Sequence, residues 1–248
     1  MTLDTHEKIR YARHIALDGF GAAGQERLRA STALIVGLGG LGAPAALYLA
    51  AAGVGRLLLN DFDVVDPTNL QRQVLYRDAD VGRRKVDAAR DALASVNPRV
   101  SLVRHDGRLD GDALRTIIDG ADVVLDCTDN FGSRFSVNDA CVATATPLVS
   151  GAALRFEGHV ASFDLRDGRG PCYACLYDEA GEALGDCAGN GVLAPLVGVV
   201  GTILATEALR ILGGVGGPAA GRLLRFDART LAWRESAFTR DPGCTVCR

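Results

Sequence analysis

Two pairs of cysteines have the spacing of metal ligands. Cys172 and Cys175 form one C-x-x-C pair, and Cys244 and Cys247 form a second pair near the end of the sequence. Each pair can form a turn that directs two thiolates at one ion, so both pairs together predict a structural Zn²⁺ site with four sulfur ligands. A redox-active dithiol is the alternative for either pair alone. The predicted zinc ties the end of the chain to its body.

A glycine-rich segment has the composition of a phosphate-binding turn. The run Gly37-Leu-Gly-Gly-Leu-Gly42 follows a short β-rich stretch and precedes an Ala- and Leu-rich one. Glycines let the backbone approach phosphates, and a helix N-terminus favours anions. Asp61 lies 19 residues after Gly42, at the end of the next predicted strand, where a carboxylate can bind a ribose. The pattern predicts a nucleotide site without separating a dinucleotide from ATP, and a turn without ligand is the alternative.

The segment after Asp61 favours a triphosphate. Asn69, Arg72 and Lys85 follow in the stretch that leads to the next predicted helix, and Lys85 is one of only two lysines in the sequence. Cationic side chains offset the negative charge of phosphates during a displacement, whereas a dehydrogenase has little use for them there. Surface charge is the alternative for Lys85.

A carboxylate past another apolar run is a candidate magnesium ligand. Asp129 follows the run 123–126, so it is expected in the crevice at the carboxyl end of a strand. Mg²⁺ binds through one or two carboxylates together with phosphate oxygens. An Asx turn that caps the next helix is the alternative, and both can hold together.

Strands and helices that alternate along the sequence are expected to position these residues. The sequence predicts strands and helices in alternation, which is typical of a parallel sheet covered on both faces. The later strands predict an antiparallel or mixed extension, so the expected class is α/β with a Rossmann-like nucleotide-binding fold. The predicted strands are 32–36, 56–61, 101–105, 122–126, 147–154, 158–165, 222–227 and 232–238, and the predicted helices are 6–17, 42–52, 84–96, 110–119 and 192–212.

Composition restricts the class of protein. The chain has 248 residues, 48% of them hydrophobic and 23% charged, with a net charge of −3. A single domain with a sizeable core is therefore expected, and nucleic acid is a poor candidate partner. The first residues contain no apolar leader segment, which makes the cytoplasm the expected location and disulfides unexpected. Glu207 and Arg210 interrupt the apolar stretch 192–212, which predicts a buried helix and no membrane span.

The motifs together resemble the MoeB/ThiF (HesA) family of E1-like adenylyltransferases. The resemblance covers almost the whole chain, and the stretches 147–158 and 194–198 are more similar to the MoeB branch. The residues that carry it are Arg10 to Ile15, Gly37 to Gly42, Asn69 to Gln73, Lys85, Asp126 to Asn130, Cys172, Cys175, Cys187, Cys244 and Cys247. The expected division is a helical arm at 1–30, a nucleotide-binding half at 31–150, and a carrier-binding and zinc half at 151–248.

The resemblance implies an activity. Such enzymes use ATP to adenylate the C-terminal glycine carboxylate of a small ubiquitin-like sulfur carrier that ends in Gly-Gly. The MoeB branch implies the small subunit of molybdopterin synthase, and a ThiF-like reaction on the thiamine carrier is the alternative. In this reading Asp61 binds the ribose, Asn69, Arg72 and Lys85 the triphosphate, and Asp129 the Mg²⁺. The implied ATP-binding set is Gly37, Gly39, Gly40, Gly42, Asp61, Asp63, Asn69, Arg72, Gln73, Lys85, Asp129 and Asn130.

The resemblance also implies a homodimer. Arg13 in the N-terminal helix would cross the interface as an arginine finger. Cys187 would form a covalent link in some relatives, with a dispensable thiol as the alternative, and a sulfurtransferase is a further candidate partner. Two other classes remain: an NAD-dependent oxidoreductase, which leaves Arg72 and Lys85 unexplained, and a non-catalytic scaffold, which is expected to have lost residues such as Asp129.

Overall fold

The central sheet consists of short apolar strands. A computed structural model describes residues 2–178, 191–216 and 220–248. In these residues eight strands form one sheet in the order β3-β2-β1-β4-β5-β6-β7-β8. The strands are β1 (Thr32–Val36), β2 (Arg56–Asp61), β3 (Ser101–Asp106), β4 (Val123–Asp126), β5 (Leu148–Leu154), β6 (Glu157–Phe163), β7 (Arg222–Asp227) and β8 (Ala232–Ala237).

The pairing of the strands changes once along the sheet, from parallel to antiparallel. Strands β3, β2, β1, β4 and β5 are parallel, and β5 to β8 pair antiparallel. This confirms the predicted α/β fold with an antiparallel extension. Strand β1 lies between β2 and β4. The chain adds β2 and β3 on one side of β1 and then crosses over to add β4 and β5 on the other side. Ligands of open α/β sheets bind in the crevice at such a switch point.

Helices cover both faces of the sheet. The helices are α1 (Thr5–Arg10), α2 (Ala12–Ile15), α3 (Gly21–Ala30), α4 (Gly42–Ala52), α5 (Lys85–Val96), α6 (Gly111–Asp119), α7 (Phe131–Thr144), α8 (Tyr173–Leu176) and α9 (Ala194–Gly213). Ala33 and Ile35 of β1 pack into a core with α3, α4, α5 and α9, and Leu34 and Val36 pack into a second core with α6, α7 and α8. The alternation follows from the pleat, which points successive side chains to opposite faces.

The N-terminal region differs from the prediction of one helix over 6–17. Helices α1 and α2 are separate, because the chain leaves helical geometry at Tyr11. The Tyr11 ring is buried against Gly53, and its hydroxyl accepts a 2.8 Å hydrogen bond from the Asn97 side chain. Helix α3 lies within the expected helical arm 1–30 but was not predicted as a separate helix, since Gly21 and Gly24 are poor helix formers. Its buried Leu28 shows that tertiary packing supports it.

Helix α9 is the predicted apolar helix. Its length and composition alone would allow it to cross a membrane, but 56% of its most apolar stretch is buried inside the protein. It packs against α4, β5 and β6. Its buried acid, Glu207, accepts a hydrogen bond from Ser162 and pairs with Arg210. The two charges in the helix are therefore paired, as buried charges must be.

Candidate nucleotide site and metal centre

A cavity of about 640 Å³ lies at the carboxyl ends of β1, β2 and β4. Its position is the switch point of the sheet. The sequence-predicted residues that line it are Gly37, Gly39, Gly40, Asp61, Asp63, Arg72, Gln73, Lys85, Asp129 and Asn130. Residues from the stretches 37–40, 61–85 and 129–130 therefore meet at one cavity.

Three predicted residues lie outside this lining. Gly42 is the first residue of α4, and Asn69 ends a short 3₁₀ turn over Pro67–Asn69. Arg13 is exposed on α2. Within the described part of one chain, Arg13 is not among the residues that line this cavity.

Two glycines of the segment 37–42, here called the glycine loop, are required by close backbone contacts. Gly37 has φ of +89°, and a Cβ there would lie 2.9 Å from the Cys127 carbonyl oxygen. A Cβ on Gly42 would lie 1.9 Å from the Gly37 carbonyl oxygen. Both distances are shorter than any side chain tolerates, so the turn from β1 into α4 can form only with glycine at these positions.

Both backbone polar groups of Leu38 are hydrogen-bonded to side chains. Its N–H donates a 2.7 Å hydrogen bond to Asp61 Oδ2, and its carbonyl accepts one of 2.8 Å from the Tyr76 hydroxyl. The other oxygen of Asp61 accepts from the Asp63 N–H at 2.8 Å. Burial raises the pKa of Asp61, although the charge of Lys85 and these two N–H groups oppose the shift. Sequence reasoning did not find Tyr76, since nothing local marks it.

Cationic side chains form one wall of the cavity. Lys85 begins α5 and is buried, with its Nζ 2.8 Å from Asp63 Oδ2. Arg72 donates a 3.0 Å hydrogen bond to the carbonyl of Thr68. The buried amide oxygen of Gln73 has no hydrogen-bond partner within the described residues. A buried acceptor without a partner is costly, so this oxygen suits a ligand that donates a hydrogen bond.

The loop 128–130 carries the predicted magnesium ligand. Asp129 is exposed, and Asn130 caps α7 by accepting a 2.9 Å hydrogen bond from the Ser133 N–H. The Asx cap predicted as an alternative for this loop is made by Asn130, and Asp129 lines the cavity. A carboxylate near a site for phosphates is the arrangement that Mg²⁺ requires.

Apolar side chains also line the cavity and form what is here called its apolar wall. Phe62, Leu109 and Leu114 line it, and the guanidinium of Arg108 lies 5.9 Å from the centre of the Phe62 ring. Sequence reasoning missed these residues, because three of them lie in connections without periodicity.

A second cavity of about 330 Å³ adjoins the first. Asp129 and Arg134 line both cavities. The remaining wall includes Tyr173, Tyr177 and His159, and burial lowers the pKa of His159. The two cavities therefore meet at the loop that carries Asp129.

The four cysteines of the C-x-x-C pairs form one cluster. It lies in the second core, which contains α6, α7 and α8. Their Sγ atoms all lie within 4.8 Å of one another. The Cys172–Cys175, Cys172–Cys244 and Cys175–Cys247 pairs are separated by 3.9, 3.7 and 3.5 Å. Four thiolates about 2.3 Å from one tetrahedral Zn²⁺ would lie about 3.8 Å apart, which is close to the separation of these three pairs.

The surroundings of the cluster support metal binding. Burial raises the pKa of Cys172 and Cys247, whereas hydrogen bonds from the N–H groups of Cys247 and Val246 and from the neighbouring thiols together lower the pKa of Cys244 to about 7. Asn138 of α7 donates a 3.8 Å hydrogen bond to Cys172 Sγ and accepts one of 2.8 Å from the Tyr173 N–H. Partners of this kind orient metal ligands. Asn138 was not found from the sequence.

Two other cysteines among the described residues lie outside this cluster. Cys127 and Cys141 are buried, and burial raises the pKa of both thiols, as expected for core residues. Cys187 lies outside the described residues, so its predicted role stays a prediction.

Comparisons with known proteins find relatives along almost the whole chain. The ThiF family matches residues 11–246. Molybdopterin-synthase adenylyltransferase of Salmonella typhimurium is 49% identical over 245 residues, covering 99% of this chain and 98% of that protein. Sulfur carrier protein ThiS adenylyltransferase of Escherichia coli is 44% identical over 245 residues, covering 99% and 97%. A crystal structure of Escherichia coli MccB with ATP has the same fold, with a TM-score of 0.85 at 24% identity over 96% of this chain and 74% of that one.

Proposed function

This chain belongs to the ThiF family, and from that premise we propose that it adenylates the C-terminal glycine carboxylate of a small ubiquitin-like sulfur carrier. The carrier proposed first is the small subunit of molybdopterin synthase, because the relative named for molybdopterin synthase has the higher identity of the two reported above. The thiamine sulfur carrier is the second candidate.

The observation that carries the proposal is the junction of the two cavities. The first cavity combines an apolar wall for a base, Asp61 for a ribose and the cations Arg72 and Lys85 for a triphosphate. The second cavity opens at Asp129 and offers an adjoining route for the tail of a carrier protein. An ATP and a peptide carboxylate would thus meet at the loop that carries Asp129.

The chemistry needs no general base. A carboxylate is already a nucleophile at neutral pH: its oxygen attacks the α-phosphorus of ATP, the bond to the bridging oxygen breaks, and pyrophosphate leaves. The barrier lies in bringing two anions together, so positioning and fixed positive charge supply the catalysis. Arg72 and Lys85 would offset the charge on the phosphates as the bond breaks.

Metal ions have two different proposed roles. A Mg²⁺ bound at Asp129 would neutralise phosphate charge and orient the leaving group. The four-cysteine cluster would hold Zn²⁺ as a structural ion, because a closed shell of four thiolates leaves no position for a reactant. Neither ion has to touch the carrier.

Assembly and location are also proposals. Exposed Arg13 would act on the nucleotide of the partner in a homodimer, since within the described residues it does not reach the cavity of its own chain. We place the enzyme in the cytoplasm, with a sulfurtransferase as the candidate partner that replaces the adenylate by sulfur.

The test is ATP–pyrophosphate exchange with one purified carrier at a time. Exchange should depend on a carrier that ends in Gly-Gly and should vanish when its last glycine is deleted. Faster exchange with the molybdopterin carrier than with the thiamine carrier supports the first candidate, and the reverse order supports the second. Exchange without any carrier, or none with either, contradicts the proposal.

A further inference from the structure

Arg134 is a buried arginine that the proposed mechanism does not use. It lies in the first turn of α7, is 6% exposed, and lines both cavities. A buried guanidinium costs several kcal/mol unless polar groups surround it. Its contacts therefore show what this charge holds in place.

Those contacts converge on Thr128. Arg134 Nη2 donates a 2.5 Å hydrogen bond to the Thr128 carbonyl, and its Nη1 lies 3.4 Å from Ser150 Oγ and 3.9 Å from Asp126 Oδ2. The fully buried Asp126 in turn accepts from the Thr128 N–H at 3.1 Å and from its hydroxyl at 2.7 Å. Every polar group of Thr128 is thus hydrogen-bonded by the Asp126–Arg134 pair.

Asp129 lies between this restrained residue and a second one. Asn130, on its other side, is fixed by its cap on α7. The Thr128 carbonyl belongs to the peptide that links Thr128 to Asp129, so the Arg134 hydrogen bond sets the plane of that peptide. The direction of the Asp129 side chain depends on this plane, because a peptide is rigid and only the two torsions beside it can adjust.

We infer that Arg134 is a positioning residue for Asp129, one that holds the magnesium-binding carboxylate in place without touching the metal. The inference rests on the proposed function for the role of Asp129. A lysine could not replace the arginine, since one ammonium cannot reach the Thr128 carbonyl and the Asp126–Ser150 side at once, as the two arms of a guanidinium do. In this arrangement the group that orients the metal ligand is the backbone of the preceding residue, Thr128.

The test is the Mg²⁺ dependence of ATP binding to Arg134→Lys, measured by calorimetry without a carrier. We expect the half-saturating Mg²⁺ concentration to rise about tenfold, the size typical for loss of a partner that orients a metal ligand. ATP affinity in the absence of Mg²⁺ should stay within about twofold of wild type, because the arginine is not assigned to the nucleotide. A Thr146→Val control also loses a buried hydroxyl hydrogen bond, at the other end of α7, and should leave both values unchanged.

A wild-type Mg²⁺ midpoint in Arg134→Lys overturns the inference, as does an equal loss of ATP affinity with and without Mg²⁺. If Arg134→Lys does not fold, Thr128→Val provides the same test. It removes the 2.7 Å hydrogen bond from the Thr128 hydroxyl to Asp126, which is the second restraint on Thr128. Its midpoint should rise, and an unchanged midpoint overturns the inference. The readout needs no carrier, so failure of the proposed carrier reaction is seen separately, in pyrophosphate exchange.

Discussion

The hydroxyl of Tyr76 donates a 2.8 Å hydrogen bond to the carbonyl of Leu38 in the glycine loop. Tyr76 ends the segment that carries Arg72 and Gln73, so this bond fixes the cationic segment against the phosphate-binding turn. In Tyr76→Phe the two are no longer linked, and we expect ATP affinity to fall about fivefold, which corresponds to the roughly 1 kcal/mol of one buried hydrogen bond.

Calorimetric titration with ATP checks this prediction. The matched control is Ser162→Ala, which also loses a buried hydroxyl hydrogen bond, here to Glu207 and outside the cavity. It should lose a similar free energy of unfolding and keep its ATP affinity. Equal ATP affinity in Tyr76→Phe and wild type would show that the bond serves only stability.

Asp129→Ala should abolish pyrophosphate exchange and leave the fold intact. The side chain is exposed and serves the proposed metal, so its removal opens no cavity in the core. Circular dichroism and thermal unfolding report the fold, and exchange reports the chemistry. Asp112→Ala is the control, because Asp112 is an exposed acid on α6 that does not line the cavity. Exchange within about tenfold of wild type, in folded Asp129→Ala, would exclude the proposed role.

Arg72→Ala and Lys85→Ala should each lose about 2–4 kcal/mol of transition-state stabilisation, as other fixed donors do. Their charges are expected to matter most when the phosphate bond breaks, so kcat should fall more than ATP affinity. Arg115→Ala, an exposed cation outside the cavity, should behave as wild type. A loss of nucleotide affinity with turnover preserved would assign Arg72 or Lys85 to ground-state binding alone.

Cys244→Ser should release the zinc. One ion per chain is expected in the wild-type protein, with Cys172, Cys175 and Cys247 as the other ligands. Elemental analysis after dialysis measures the metal, and thermal unfolding should show lower stability as the end of the chain detaches. Cys141→Ala removes a buried thiol outside the cluster and should retain the ion. Stoichiometric, tightly held zinc in Cys244→Ser would disprove the assignment of ligands.

Arg13→Ala and Asp129→Ala chains should complement each other when mixed. Each variant is expected to be nearly inactive alone, while the heterodimer has one site with the intact Arg13 of one chain and the intact nucleotide pocket of the other. Random association places about half of the chains in heterodimers with one working site of two, so activity should approach about a quarter of wild type. Subunit exchange is verified with differently tagged chains, and no recovery after exchange would mean that Arg13 does not act across the interface.

The sequence by itself determined the residues that carry strong local constraints. Gly42 is required by its contact with Gly37 in the same turn, Gly37 has a positive φ that favours glycine, and Asp61 ends the strand β2. The cysteine pairs were identifiable because a C-x-x-C turn places two thiolates together before the fold forms. The strand and helix alternation likewise follows from local patterns of apolar residues, and it gave the mixed sheet correctly.

The tertiary structure decided which distant groups support these residues. Tyr76 and Leu38 are 38 positions apart, and Asn138 and Cys172 are 34 apart. Nothing near Tyr76 or Asn138 in sequence indicates a partner, because the partner is set by the order of strands in the sheet and by which helices share a face. Periodicity specifies that a side chain is buried, whereas only the packed fold specifies the polar group that it meets there.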